Sequence, residues 1–260
     1  MKNIYLNSES IHDVFNYIKT SYQGVLNVSD NEFNLALNSK FFRGNINLIT
    51  FGSSITSIQV YMTFLHDITV SLEAFNKSSI VFAYCNGDDF KHSFGISGEQ
   101  SILRNQQSAI LNSNKSVNTI LHFKKNSTVQ FTIIKTEISA LKQSANDSFL
   151  LDLKNTFLDR QPNFIYHDRQ CAKIEEMIYQ FKNNTDKGTA RHAIKREIIE
   201  SLLLLEIEKN ISPVLKMTQG AKNSVLIQIK QSKKVFRIIN NYAVNLLFLK
   251  TFTSKNISIK

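Results

Sequence analysis

Residues 79–96 read SIVFAYCNGDDFKHSFGI, and their pattern is the clearest indication of the fold in this sequence. Its first seven residues are mostly β-branched and aromatic, and these residue types favour strands. Asn86-Gly87 follows at once, and this dipeptide is the strongest short signal for a two-residue hairpin turn because both positions tolerate positive φ. The pattern therefore predicts a hairpin in which residues 90–96 form the return strand.

Alternating polar and apolar residues extend the β pattern to both sides of this hairpin. Further strands are predicted at 45–51, 57–65, 70–74, 108–112, 118–123 and 128–135. Eight short strands without a helix between them indicate an antiparallel barrel or sandwich. Residues 1–35 are predicted to be a lead-in with one amphipathic helix, for which Ser10 is the N-cap and Asp13 lies at the capping-box position.

Helical periodicity replaces the strand pattern after about residue 137. Helices are predicted at 147–157, 168–181 and 186–209, with Pro162 between the first two and Asp168 capping the second, and a last helix is predicted at 232–249. The chain is therefore divided into a β-barrel with an N-terminal helix (1–136), a helical linker or dimerisation region (137–210), and a basic linker with one further helix (211–260).

The helix predicted at 186–209 carries an apolar stripe that is wider than one packing face requires. The stripe contains Ile194, Ile198, Leu202 and Leu205, within the continuous apolar run 202–205. A wide stripe indicates contact on two sides, with the helix's own barrel and with a partner helix. These four residues are the predicted dimerisation residues of a homodimer.

Positive charge is concentrated at the C-terminal end of the chain. The net charge is +10, yet residues 1–160 hold 14 basic and 13 acidic side chains, and residues 209–260 hold 10 basic and no acidic ones. Lys233, Lys234 and Arg237 lie in the first turns of the predicted last helix, where cations oppose the helix dipole. We interpret them as DNA-phosphate contacts; the alternatives are a solvated basic face and a codon bias towards lysine.

Several classes of protein are disfavoured by composition and motifs. No uncharged apolar run is long enough to span a membrane, and the N-terminus has no apolar export signal. Two cysteines, Cys85 and Cys171, do not make a disulfide scaffold, so a reducing cytoplasmic compartment is expected. No hydrolase elbow, phosphate-binding loop or Cys-x-x-Cys motif is present, and the chain is not expected to be an enzyme.

Short motifs in the strand region resemble those of the AraC-type transcription regulators, in particular the pyochelin-regulator-like group. The resemblance covers roughly residues 40–260. It is carried by IVFAYCNG at 80–87, HSF at 92–94, NQQSAIL at 105–111, ILHFK at 120–124, VQFTII at 129–134, and the helical stretch 189–208.

This resemblance implies a cupin-like β-barrel that senses a small-molecule effector, helices used for dimerisation, and a C-terminal pair of helix-turn-helix units that bind DNA. The expected fold class is thus α+β, with a cupin-like antiparallel β-barrel, an α-helical dimerisation or linker region, and a partial DNA-binding helix. Residues 228–260 resemble only the opening of the DNA-binding domain. The DNA-reading helices are therefore expected to be missing from this chain.

Aromatic residues on the predicted barrel strands are candidates for an effector pocket. Side chains of one parity along a strand face the lumen, and the predicted effector-binding residues are Tyr61, Phe82, Tyr84, His92 and Phe94. A barrel filled by its own side chains, without a pocket, is the alternative. None of the six histidines forms the His-x-His pair typical of metal-binding cupins, so neither a metal nor another cofactor is predicted.

Two functions remain open at this point. The first is an AraC-type regulator that couples effector binding to DNA binding through a helical dimer interface. The alternative is a stand-alone cupin-like protein that binds a small molecule and has no DNA role. A structural adaptor that acts only through its helices is a third, weaker interpretation. The sequence identifies neither the effector nor the operator.

Overall fold

The computed structural model describes residues 2–6, 10–29, 31–52, 54–73, 79–113, 117–137, 148–157 and 164–210. Its strands are β1 (Lys2–Leu6), β2 (Val25–Ser29), β3 (Glu32–Asn38), β4 (Phe42–Phe51), β5 (Ile55–Phe64), β6 (Ile68–Leu72), β7 (Ser79–Cys85), β8 (Phe90–Phe94), β9 (Ser101–Leu103), β10 (Gln107–Ser113), β11 (Thr119–Phe123), β12 (Thr128–Glu137) and β13 (Phe164–Arg169). Its helices are α1 (Ile11–Ser21), α2 (Ser148–Phe157), α3 (Ala172–Lys182) and α4 (Gly188–Asn210).

The strands form two sheets. The smaller sheet has the order β1-β6-β11-β8-β9, and the larger has the order β13-β10-β7-β12-β5-β4-β3-β2. β1 pairs with β6 in parallel, and the other pairings between described strands are antiparallel. Side chains from both sheets line one shared cavity. The predicted α+β fold with a cupin-like antiparallel barrel is confirmed, while the predicted DNA-binding helix lies outside the described residues.

The predicted hairpin at Asn86-Gly87 is wrong. β7 pairs with β10 and β12 in the larger sheet, whereas β8 pairs with β11 and β9 in the smaller one. The link between them is a corner from one sheet to the other. This corner is hydrogen-bonded to β12: the amide of Asn86 donates to the Gln130 carbonyl at 2.8 Å, and the amide of Asp88 donates to the Thr128 carbonyl at 3.0 Å.

The N-terminal helix forms as predicted. The Ser10 side chain accepts a hydrogen bond from the amide of Asp13 at 3.3 Å, as expected of an N-cap. α1 then places its apolar face against the barrel interior, where Phe15 packs edge-on against Phe33 with ring centroids 5.9 Å apart. Tyr22, just after the helix, packs against Phe42 at 4.8 Å.

The helical region after residue 137 also contains a strand. β13 pairs with β10 along its whole length, so the predicted boundary at residue 136 does not separate sheet from helices. Asp168 lies in this strand, so the prediction that it caps α3 is wrong. Cys171 occupies the N-cap position of α3. α2 and α4 lie where helices were predicted. Pro162 and the linker and helix predicted within 211–260 lie outside the described residues.

Helices cover the outer face of the larger sheet. Phe82 on β7 meets Phe157 of α2 edge-on, with ring centroids 5.3 Å apart, and Phe51 on β4 meets Phe181 of α3 at 6.5 Å. The buried residues of α3 are Ile174, Ile178 and Phe181. The larger sheet is therefore buried on both faces where the helices lie.

Gly87 is required by the close approach of the corner to β12. A Cβ at this position would lie 2.3 Å from the backbone nitrogen of Gln130, a separation that only a backbone shift relieves. We expect Gly87→Ala to lower the free energy of unfolding by about 2 kcal/mol or more, because overpacking against backbone strains both segments. Urea unfolding followed by circular dichroism measures the change.

Gly52→Ala is the matched control. Gly52 has φ +65° with no atom within 4 Å of the added Cβ, so its replacement should cost only about 1 kcal/mol for the left-handed backbone. An equal or smaller loss at Gly87 would contradict the close approach.

Candidate ligand cavity

The two sheets and α1 enclose a cavity of about 390 Å³. This volume lies within the range of sites that hold small organic molecules. Its wall is mostly aliphatic and aromatic, and the larger side chains on it include Ile4, Leu6, Phe15, Ile18, Leu37, Phe42, Ile58, Val60, Met62, Phe64, Leu72, Phe90, Leu103, Leu121, Phe123 and Phe131. The filled-barrel alternative does not hold for the described structure.

Small residues on the central strands help to leave this space open. Ala83 on β7 lies directly opposite Ala109 on β10 in the strand register, and both line the cavity. Ile133 on β12 lies beside Ala83 on the other side. Two adjacent alanines leave room that a pair of larger residues would fill.

Two histidines interrupt the apolar wall. His92 on β8 is only 6% exposed, and His167 on β13 pairs in register with Ala109. All four ring nitrogens of these two side chains are buried, and none has a hydrogen-bond partner within the part of the chain that the structure describes. Buried polar groups are nearly always paired, so the cavity holds unused hydrogen-bonding capacity at this point.

Both imidazoles are held neutral near physiological pH. Burial lowers the pKa of His92 to about 4, with smaller contributions from His167 and His122. Burial also lowers the pKa of His167, and the positive charge of Arg104 acts in the same direction. A neutral imidazole offers one N–H donor and one acceptor nitrogen, so each ring can both donate to and accept from a bound molecule.

Two ionisable side chains, Lys135 and Glu73, also line the cavity. Lys135 is on β12 and forms an ion pair with Glu137 at 3.5 Å, with about a third of its side chain exposed. Ser79 and Thr119 add two hydroxyl groups to the wall. The charged groups are thus partly solvated, in contrast to the deeply buried His92.

The structure brings one of the five predicted effector-binding residues to the cavity wall. His92 lines it, while Tyr61, Phe82, Tyr84 and Phe94 do not. Tyr61 is 49% exposed and faces outwards near the amino group of Lys182, 6.0 Å from the ring centroid. Phe94 is half-buried beside His92, with ring centroids 4.8 Å apart.

Phe82 and Tyr84 face the helices instead of the lumen. Ser79, Val81 and Ala83 are the β7 residues that line the cavity, so the opposite parity points away from it. The run 80–85 is apolar at both parities because both faces of β7 are buried, and alternation alone does not tell which face is inside. The prediction that Phe82 and Tyr84 lie in the pocket is therefore wrong.

α4 is attached to the larger sheet by polar contacts at both ends. Near its start, Arg191 Nε donates to Glu32 Oε1 at 2.9 Å, and Lys195, only 2% exposed, lies 3.7 Å from the same oxygen. His192 Nε2 donates to the Thr50 carbonyl at 3.0 Å. Burial lowers the pKa of Lys195 to about 8 against the opposing attraction of Glu32.

The C-terminal half of α4 contacts β7 and β13. The Tyr84 hydroxyl donates to Glu206 Oε1 at 3.3 Å inside the packed layer, and Lys209 Nζ lies 2.7 Å from Asp168 Oδ2. Burial raises the pKa of both Tyr84 and Glu206. This pair was not predicted, since a tyrosine in an apolar run and a glutamate in a long helix give no sequence signal of their contact.

The predicted dimerisation residues divide into two groups. Leu202 is 1% exposed and is buried within its own chain. Ile194 is 38% exposed, and Ile198 and Leu205 are half-buried. The last three follow one another along the flank of α4 beside Leu202. The predicted phosphate contacts Lys233, Lys234 and Arg237 lie outside the described residues.

The described residues contain no group of three or more histidine, cysteine, aspartate or glutamate side chains placed to hold a metal ion. Among the described helices, none combines the length and the apolar character needed to span a membrane.

No protein-family model and no curated protein matches this chain. Solved structures similar to it include an apo form of a single-residue variant of ToxT from Vibrio cholerae, with 7% identity over 61% of this chain and a TM-score of 0.40. The AraC-like transcriptional activator CuxR has 6% identity over 64% of the chain and a TM-score of 0.37. The cupin domain of an XRE family regulator from Enterobacter cloacae has 10% identity over 32% of the chain and a TM-score of 0.27. The matches cover 58% of ToxT, 55% of CuxR and 81% of the cupin domain. Structures of AraC-type regulators and of cupin domains are thus both among those similar to this chain.

Proposed function

We propose that this chain is the effector-sensing and dimerisation part of a cytoplasmic AraC-type transcription regulator, and that its barrel binds a small, largely apolar molecule. The observation that carries the proposal is the cavity of about 390 Å³ with its mostly apolar wall. Each methylene group moved from water into such a wall contributes about 0.8 kcal/mol to binding. A ligand with a short hydrocarbon body therefore has enough driving force for micromolar affinity.

β7 offers a route from the cavity to the helices. Ala83 lines the cavity, and its neighbour Tyr84 on the opposite face holds Glu206 of α4. A ligand that displaces β7 by a fraction of an ångström therefore acts on the Tyr84–Glu206 contact directly. In this proposal, ligand occupancy changes how α4 is presented to a second copy of the chain and so how a DNA-binding module is placed.

The DNA part of the proposal rests on the sequence. Two observations support a nucleic-acid partner: the resemblance to AraC-type regulators, and the segment 209–260, which holds 10 basic side chains and no acidic one. A stand-alone small-molecule binding protein is the competing function, and it requires the same cavity but no affinity for DNA.

Filling the cavity should weaken ligand binding without unfolding the barrel. N-phenyl-1-naphthylamine, a neutral apolar fluorescent probe, is expected to bind the full chain with a stoichiometry near one. Ala109→Phe places a ring into the space beside Ala83 and should weaken probe binding at least about tenfold. Fluorescence titration measures both.

Ala190→Phe is the matched control for the filled cavity, because Ala190 is exposed on α4. It should leave the probe affinity unchanged. Equal probe binding by the two variants, with both folded by circular dichroism, would show that the probe does not occupy the cavity and would contradict the proposal.

The half-exposed flank of α4 should carry the dimer contact. Ile194→Glu is expected to give a folded monomer in sedimentation velocity, because a carboxylate there is costly only when a partner covers it. Leu202→Glu should instead unfold the chain, since Leu202 is buried internally. Ile96→Glu makes the same change at a residue that is 95% exposed on the barrel and should leave the dimer intact. A dimer that survives Ile194→Glu counts against this interface.

DNA binding should depend on salt and on the basic segment. Fluorescence anisotropy of the full chain is expected to show salt-sensitive binding, equal for the DNA upstream of its own gene and for a scrambled fragment. Replacing Lys233, Lys234 and Arg237 together by alanine should reduce the slope of log affinity against log salt by roughly 2 to 3. Replacing the exposed Lys124, Lys125 and Lys173 is the charge-matched control. No binding at low salt would favour the stand-alone binding protein.

A further inference from the structure

We propose that His92 and His167 form the polar subsite of the cavity, that they bind the carboxyl group of an otherwise apolar ligand, and that binding takes up one proton from solvent. This inference rests on the proposed function, because it names the chemical class of ligand that the cavity accepts.

The two imidazoles approach the cavity from different sheets. His92 is on β8, next to the edge strand β9 of the smaller sheet, and His167 is on β13, the edge strand of the larger sheet. Both side chains line the same cavity, and neither has a hydrogen-bond partner among the described residues at either ring nitrogen. Leaving such groups unpaired in an apolar interior is unfavourable. A ligand head group that satisfies them recovers that cost.

A carboxyl group fits two neutral imidazoles better than a hydroxyl does. Each ring can donate one N–H and accept at one nitrogen. A carboxyl group presents two oxygens, so it can contact both rings at once, and its protonated form also donates. A hydroxyl group has one oxygen and one proton to donate, so it contacts both rings only if both lie within hydrogen-bond distance of that one oxygen.

The charges near the two rings favour an anion. Arg104, which follows β9, lowers the pKa of His167 by its positive charge, and Lys135 lines the cavity from β12.

Negative charge at the cavity is limited to one lining residue, Glu73, among those described. Glu73 follows β6, and its backbone amide is bonded to the Leu6 carbonyl. Arg104 is the charged side chain that acts on His167 directly, and its positive charge attracts a carboxylate and disfavours an amine.

The proton balance follows from the lowered pKa values of His92 and His167. The ligand arrives from water as a carboxylate at neutral pH, and the rings are neutral. In the cavity the negative charge of the carboxylate raises the pKa of the imidazoles that contact it, and one of them takes up a proton. One proton therefore enters with the ligand, and no covalent bond changes. Affinity should then rise up to about tenfold for each pH unit lowered, until the bound state is fully protonated.

The test compares decanoic acid with 1-decanol on the full-length chain by isothermal titration calorimetry, in buffers of different ionisation enthalpy between about pH 6 and pH 8. We expect the acid to bind with uptake of about one proton and with affinity that increases as the pH falls. The alcohol should bind without proton uptake and without pH dependence.

Variants locate the subsite. His92→Leu and His167→Leu should each weaken decanoic acid binding at least about tenfold and reduce the proton uptake, with a much smaller effect on 1-decanol. His66→Leu, at an exposed histidine, is the matched control and should change neither ligand. Where a leucine variant does not fold, His92→Gln keeps a polar side chain without a titrating ring and should likewise reduce the proton uptake.

The outcomes separate this inference from the function on which it rests. If the chain binds N-phenyl-1-naphthylamine but not decanoic acid, or binds the acid without proton uptake, the inference is overturned and the proposed function stands. If Lys135→Met removes acid binding while both histidine variants keep it, the head group is at Lys135 and the inference is wrong. If neither the probe nor the acid binds, the proposed function itself fails.

Discussion

The central strands of the larger sheet must be apolar on both faces, because one face lines the cavity and the other packs against the helices. On β7, Ala83 faces the cavity, while Phe82 and Tyr84 are fully buried against the helical layer. A sheet with one solvated face would not need the helices, and a sheet packed on both faces without small residues would leave no cavity. The run 80–85 satisfies both demands, since small residues alternate there with large ones. Any displacement of β7 would therefore change its contacts with the helical layer.

Gln170 is a buried polar side chain whose amide group is fully engaged in hydrogen bonds. It is only 4% exposed and donates from Nε2 to the carbonyls of Cys85 at 3.0 Å and Gln107 at 2.8 Å, while its Oε1 accepts from Asn86 at 3.3 Å. One side chain thus ties the end of β13 to the ends of β7 and β10. Because breaking a buried network leaves unpaired groups, these hydrogen bonds hold the three strand ends together. The rings of His92 and His167, which have no hydrogen-bond partner among the described residues, contrast with this arrangement.

The sequence predicted the barrel, its α+β class and α1, α2 and α4, because alternation and helical periodicity are local signals. It missed β13, since six residues beside a predicted helix carry no clear alternation, and so it misplaced the start of α3. It predicted a hairpin at Asn86-Gly87, whereas the glycine is there to let the backbone pass close to Gln130. Of the cavity residues it found His92 but not His167, whose position depends on the pairing of β13 with β10. Contacts between distant segments set these features, and no short window contains them.

At His167, as at Ala83, one residue lines the cavity while the next residue along the strand contacts the helical layer. The next residue, Asp168, forms the ion pair with Lys209 at the end of α4, and Gln170 follows just before α3 begins. The Lys209 ammonium holds the pKa of Asp168 below its usual range, so this ion pair is formed at neutral pH. A head group between His92 and His167 would join β8 of the smaller sheet to β13, the edge strand of the larger sheet, and restrict the orientation of β13. Because alternate residues of a strand face opposite sides, ordering His167 on the inner face also orders Asp168 on the outer one. Lys209, near the end of α4 and at the start of the basic segment, thus contacts Asp168, the residue that follows His167 in the chain.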